Sequence, residues 1–179
     1  MNIKLVIISV ILSSCLGITA FAQTDSKDRL YLSFSVGSGS APAANLMADS
    51  FENRFIGLQL GVRFSRRISV FLTDSAELYL TNKSGSKTYN ELLALGGGVS
   101  VTFPVGKYFS LEPVLSCSST IMKRERNCLI PKLELRLCGQ SPAVPPVFMG
   151  IGLQYIHPYS KEAGPNIWLP FLSLGFQLF

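Results

Sequence analysis

The sequence predicts an all-β fold, an eight-stranded antiparallel transmembrane β-barrel, and three observations carry that prediction. Apolar residues recur at every second position over eight separate segments, the period of a strand with one greasy and one polar face. Only 15% of the 179 residues are charged while 47% are hydrophobic, against about 25% charged in soluble domains. The mean hydropathy is +0.34, yet beyond the N-terminus no apolar run is long enough for a membrane helix, which leaves strands to do the crossing. This composition also excludes a disordered chain.

The N-terminus departs from this alternation. Lys4 precedes an apolar run from Leu5 to Ile18, and Ala20-Phe21-Ala22 ends it before Gln23; this is the layout of a secretory signal peptide over 1–22. Leu12-Ser13-Ser14-Cys15 also has the form of a lipobox, although cleavage there would strand the apolar stub 16–22 behind the cysteine. Removal of 1–22 leaves a barrel domain over 23–179 with a charge of +4, fifteen cations against eleven anions. So small a basic excess on an exported chain gives no reason to expect nucleic acid.

The eight strands follow in order. The first sets Leu30, Leu32, Phe34 and Val36 against Tyr31, Ser33, Ser35 and Gly37; the second sets Ile56, Leu58, Leu60, Val62 and Phe64 against Gly57, Gln59, Gly61 and Arg63. The third carries Ile68, Val70, Leu72, Ala76, Leu78 and Leu80, with Phe71 and Asp74 breaking the pattern, so a bulge is expected there. The fourth alternates Leu93, Leu95, Val99, Val101 and Phe103 with Ala94, Gly96, Gly98, Ser100 and Thr102, and the fifth alternates Phe109, Leu111 and Leu115 with Ser110, Glu112 and Ser116. The sixth pairs Leu133, Leu135 and Leu137 with Lys132, Glu134 and Arg136. The seventh holds Met149, Ile151, Leu153 and Tyr155, and the eighth holds Leu172, Leu174, Phe176 and Leu178.

Connections at 38–54, 81–91, 119–128 and 157–166 are longer than most of those between them. Long outer loops and short inner turns are the habit of outer-membrane barrels. The first long loop is expected to hold a short helix from Ala43 to Phe51.

The polar face is mostly Gly, Ser and Ala, too small and too uncharged for a face bathed in water, so it is assigned to the narrow lumen and the apolar face to lipid. Phe64, Phe103, Tyr155 and Trp168 fall toward strand ends, where interfacial aromatics gather. Asp74 is the exception on the apolar side.

These features, with the terminal Ser173-Leu174-Gly175-Phe176-Gln177-Leu178-Phe179, resemble the small eight-stranded outer-membrane barrels of the OmpA/OmpX shape. That resemblance implies residence in the bacterial outer membrane, contact with its lipid and lipopolysaccharide, and recognition of the C-terminal Phe by barrel-assembly machinery. It also implies a structural or surface-contact role through the outer loops, with no catalysis and no cofactor. In this chain Phe179 falls on the opposite face from Phe176 and Leu178.

Arg63, Glu77, Glu112, Lys132, Glu134 and Arg136 are the lumen charges, and in so narrow a space they must pair. Glu112 is expected opposite Arg136. Cys117 and Cys128 flank one outer loop in an oxidising compartment, so a disulfide between them is expected; Cys138 stands apart as a small apolar residue. No histidine accompanies the cysteines and no metal site is expected. Lys123, Arg124 and Arg126 form a basic patch in that loop, suited to phosphates or acidic glycans or simply to solvent.

His157-Pro158-Tyr159-Ser160-Lys161-Glu162-Ala163-Gly164-Pro165-Asn166 is similar to a segment of the outer-membrane lipid A deacylases. The resemblance implies an alternative function, an acyl-ester hydrolase with Ser160 as nucleophile, His157 as base and Glu162 as its orienter. Two residues separate His157 from Ser160 where that family has one, and Lys161-Glu162 stands where it has Asn.

Overall fold

The computed structural model describes residues 30–42, 50–65, 67–83, 86–121, 127–139, 147–160 and 166–178. Its elements are β1 (Leu30–Pro42), β2 (Ser50–Arg63), β3 (Ile68–Lys83), β4 (Ser86–Val101), β5 (Phe103–Val105), β6 (Phe109–Thr120), β7 (Cys128–Gly139), β8 (Val147–Pro158) and β9 (Ile167–Leu178). Each neighbour pairs antiparallel in the order β4-β3-β2-β1-β9-β8-β7-β6-β5, and β4 closes the sheet on β6. β5 continues the line of β4 past Thr102 and pairs with the start of β6. The two together make one wall segment, so the barrel has eight strands.

The register fixes its girth. From Leu30 the path of partners runs through Val62, Val70, Val99, Leu115, Leu133, Leu153 and Pro170. Gly39 faces Phe171, so the path returns to β1 beside Ser40, a stagger of ten residues. Eight strands so staggered tilt by about 40° and leave an interior that side chains alone can fill.

Parity decides what fills it. Leu72, Leu115, Leu133, Ile151 and Leu172 are more than half exposed, whereas Glu77 is 1% exposed and Arg136 4%. A water-soluble protein has the opposite distribution, and an apolar belt running right around the wall exceeds the patches that soluble monomers expose. Hydrocarbon is the solvent that suits it, and the chain is a transmembrane β-barrel.

Several sequence expectations need correction. β3 has no bulge: its ladder to β4 runs unbroken from Ile68 to Lys83 and its ladder to β2 from Ser69 to Asn82. Phe71 faces the lumen and Asp74 the outside, so the alternation that looked interrupted continues with unusual residues on each face. The segment 81–91 is largely strand, since β3 and β4 pair as far as Lys83 and Ser86. Likewise β1 extends to Pro42 and β2 starts at Ser50, so Phe51 belongs to a strand and not a helix; 43–49 lie outside the described residues, as do 1–29 with the signal peptide. The sixth predicted strand is β7, paired along most of its length on both sides.

At the inner end the hairpins are tight. Ser65 Oγ accepts from the backbone N–H of Arg67 at 3.2 Å and of Ile68 at 3.0 Å, a local turn device of serine. The turn at 106–108 uses Gly106 at φ 74°, a conformation that costs an L side chain energy.

Candidate functional site

Two places gather chemistry: the lumen and the outer rim above β8 and β9. In the lumen, five glycines each sit directly opposite an aromatic ring on the adjacent strand. The pairs are Tyr31 with Gly61, Phe55 with Gly37, Phe71 with Gly98, Phe171 with Gly152 and Phe148 with Gly175. A Cβ on Gly152 would come within 2.4 Å of the Phe171 ring, well inside van der Waals contact. The glycines are notches that let rings lie flat across the narrow interior.

Among the described side chains, Glu77, Glu112 and Glu134 with Arg63, Lys132 and Arg136 share the remaining lumen. Glu77 accepts from Asn53 Nδ2 at 2.7 Å, Ser75 Oγ at 2.9 Å and Lys132 Nζ at 2.5 Å. Glu134 accepts from Arg136 at 2.9 Å and Ser173 Oγ at 2.5 Å. Arg136 also donates to Gln59 Oε1 at 3.0 Å and lies 4.4 Å from the centre of the Phe148 ring, and Lys132 lies 4.3 Å from that of Phe55. Arg63 stands 5.7 Å from the centre of the Tyr31 ring near the inner mouth. Glu112 is the register partner of Arg136, but its carboxylate takes Ser100 Oγ at 2.5 Å and Cys138 Sγ at 3.4 Å. Arg136 turns along its own strand to Glu134, so the direct contact is not the cross-strand one expected. Register brings Cβ atoms together; the long guanidinium arm then chooses its acceptor.

Above this polar layer the lumen is sealed by an apolar cluster of Phe51, Tyr79, Leu92, Ala94, Ile130, Ile156 and Leu169, with Cys128 among them. The Phe51 and Tyr79 rings stack at 5.5 Å. Tyr31, Phe71 and Val114 form a second cluster nearer the inner end. Between them, beside Lys132, Glu134 and Arg136, lies a cavity of about 20 Å³, room for one water molecule and not for a solute. The plug was not foreseen in the sequence, although Phe51, Phe55, Phe71, Phe148 and Phe171 all carry inward parity once the register is known.

Cys117 and Cys128 do not form the expected disulfide. Cys117 points outward from β6 opposite Pro131, whereas Cys128 points inward from β7 and is buried. Residues of opposite parity on neighbouring strands put the wall between their sulfur atoms. The basic patch Lys123, Arg124 and Arg126 lies outside the described residues.

At the outer rim His157 is the last residue but one of β8 and has outward parity. Its Nδ1 is 2.8 Å from Asn166 Oδ1, just ahead of β9. The Tyr155 ring stacks with it at 6.1 Å and meets Trp168 at 4.5 Å. Tyr159 OH lies 2.9 Å from Ser119 Oγ, and its N–H donates to Asn127 O at 2.9 Å, which ties the segment after β8 onto the β6–β7 side. Ser160 is half-buried in that segment, and Glu162 lies outside the described residues. The partner of His157 is thus Asn166, at the end of the same segment.

No family model matches the chain, and no curated protein matches it. Among solved structures it is similar to the backbone structure of the Yersinia pestis outer membrane protein Ail in a phospholipid bilayer nanodisc, at 13% identity and a TM-score of 0.47, over 83% of this chain and 99% of that one. It is also similar to the solution NMR structure of the de novo designed TMB2.3, at 17% identity and a TM-score of 0.41, over 84% of this chain and 95% of that one.

Proposed function

We propose that this chain is a bacterial outer-membrane protein with a closed lumen that works by surface contact through its outer hairpins, without catalysis or cofactor. The observation that carries this reading is the hairpin of β3 and β4. Each strand has 16 residues, well beyond the 9–11 or so needed to cross a membrane. β4 pairs with β6 only between Ala94 and Ser100, so among the described residues Ser86–Leu92 has a ladder partner on β3 alone. A strand edge raised above the rim offers backbone donors and acceptors to a visiting chain. Lipopolysaccharide around the rim and the assembly machinery at the C-terminus are the partners that accompany this role.

The test is cell fractionation joined to heat-modifiable migration on detergent gels. Recovery in the outer-membrane fraction, with a mobility shift on boiling, is expected. A freely soluble monomer in periplasmic extract refutes the proposal. Shortening the hairpin by joining residue 80 to residue 89 through Asn-Gly should leave the barrel folded and abolish its surface contacts.

One observation favours a second reading, a lipid A acyl-ester hydrolase. His157 faces outward at the level of the outer aromatics, and Asn166 holds its Nδ1 and leaves Nε2 for a hydroxyl such as that of Ser160. Mass spectrometry of lipid A exposed to the purified protein decides it. Unchanged lipid A, or full activity in Ser160→Ala, removes this reading.

A further inference from the structure

The part of β4 that rises past β6 is one side of a ladder whose other side is missing among the described residues. Leu93 O accepts from the N–H of Ile121 at 3.1 Å, on the β6 side, while the N–H of Thr102 donates to Arg67 O at 2.7 Å, on the β3 side. Odd-numbered residues of β4 therefore turn their backbone groups toward β6 and even-numbered ones toward β3, an alternation that the unbroken β3–β4 ladder carries up to Ser86. Residues 87, 89 and 91 thus offer their N–H and C=O groups on the side where the β6 ladder has stopped at Ala94. They are Lys87, Tyr89 and Glu91. Laid antiparallel against a copy of itself with residue 89 on the two-fold axis, this edge sets residue 87 opposite residue 91 twice, a lysine facing a glutamate each time. The positions of β3 alongside them with outward parity, Leu78, Leu80 and Asn82, give neither charge a counterpart within its own hairpin.

We propose that the 86–92 edge of β4 pairs with the same edge of a second copy of this chain standing in an opposed membrane. The inference rests on the surface-contact reading above and names its partner. Antiparallel strands of one sheet are related by a two-fold axis perpendicular to that sheet, and such an axis turns the membrane normal over. Two barrels joined this way sit in facing bilayers and not side by side. The contact is self-complementary, since each of the three odd-numbered residues gives one N–H and one C=O and meets the matching groups. Opposite charges across a ladder favour it and like charges disfavour it, so the lysine and glutamate positions set the alignment. Sliding one copy by two residues sets Lys87 or Glu91 against Tyr89 and forfeits both charge pairs.

The experiment is clustering of phosphatidylcholine vesicles that carry the full chain, reconstituted by detergent removal so that the outer hairpins face both ways. Green and red populations are mixed and two-coloured clusters are counted. Wild-type vesicles should cluster. Lys87→Glu or Glu91→Lys alone sets like charges opposite each other at both pairs and should lower clustering about tenfold or more. Clustering should return in the double variant, and also where vesicles of one single variant meet vesicles of the other, because both arrangements restore opposite charges. The substitutions lie beyond the hydrocarbon, and heat-modifiable mobility checks that each variant is folded. Wild-type vesicles that stay dispersed, or that cluster only when a foreign protein is added, overturn the proposal. So do single variants that cluster as the wild type does, or a mixture of the two that stays dispersed. Each of these results leaves the surface-contact reading standing, since that reading falls on a freely soluble chain.

Discussion

Removing the carboxylate of Glu77 is the sharpest probe of the lumen. Its side chain is fully buried, that of Lys132 is 12% exposed, and the two are in contact. Glu77→Ala leaves Lys132 without its anion, and breaking a buried pair from one side costs about 3–5 kcal/mol. Asn53 Nδ2 and Ser75 Oγ lose an acceptor at the same time, each worth about 1–3 kcal/mol if nothing replaces it. The Phe55 ring under Lys132 keeps about 1–2 kcal/mol of favourable interaction with the ammonium, so the net loss should fall between about 3 and 10 kcal/mol. Reversible urea unfolding from vesicles measures it. The double variant Glu77→Leu with Lys132→Met should recover most of the loss, because apolar groups of similar volume remove both charges together. A loss below about 1 kcal/mol for Glu77→Ala, or simple additivity of the two single variants, would refute the description of this pair as dry and coupled.

Other outcomes follow from the same geometry. Glu134→Ala should cost more than Glu112→Ala, since only Glu134 is in contact with Arg136, and urea titration of the two variants side by side checks the order. Gly152→Ala should lose about 1–3 kcal/mol by overpacking against Phe171, and Gly152→Ala with Phe171→Leu should regain part of it. In the folded protein a membrane-permeant maleimide should label Cys117 and spare Cys128 and Cys138, and non-reducing gels should show no internal crosslink. Planar bilayers holding the purified chain should show no steady ionic conductance; a persistent open channel would contradict the plug of Phe51, Tyr79, Ile130 and Leu169.

Alternation made the wall legible in the sequence, because a strand between lipid and a packed lumen writes its two faces at alternate positions. The same signal assigned Glu77, Glu112, Lys132, Glu134 and Arg136 to one face. It could not say which of them touch, since contact depends on register and on where a long side chain turns. Arg136 prefers Glu134 on its own strand to Glu112 across from it. Strand ends were misread for a related reason: beyond the hydrocarbon both faces become polar and the period fades, so 81–91 looked like a loop while its backbone still pairs. Phe71 and Asp74 looked like an insertion because greasy was equated with outward. A lumen that needs rings to fill it breaks that equation, and so does a lipid face that carries an acid. Nothing local could warn against the Cys117 and Cys128 bridge, as closeness along a hairpin says little until parity is counted.

The five notches opposite five rings bear on how the chain finds its register as it inserts. A slip of one residue turns every side chain to the wrong face and is rejected by the membrane itself. A slip of two restores the faces, so neither lipid nor lumen polarity would detect it. Shape would. Two places out of step, Tyr31 would press on Gln59 or Arg63 in place of Gly61, and Phe148 would meet Ser173 or Gln177 in place of Gly175. Each ring with its glycine works as a key cut for one lock, and a wall carrying such keys on several seams closes in a single alignment.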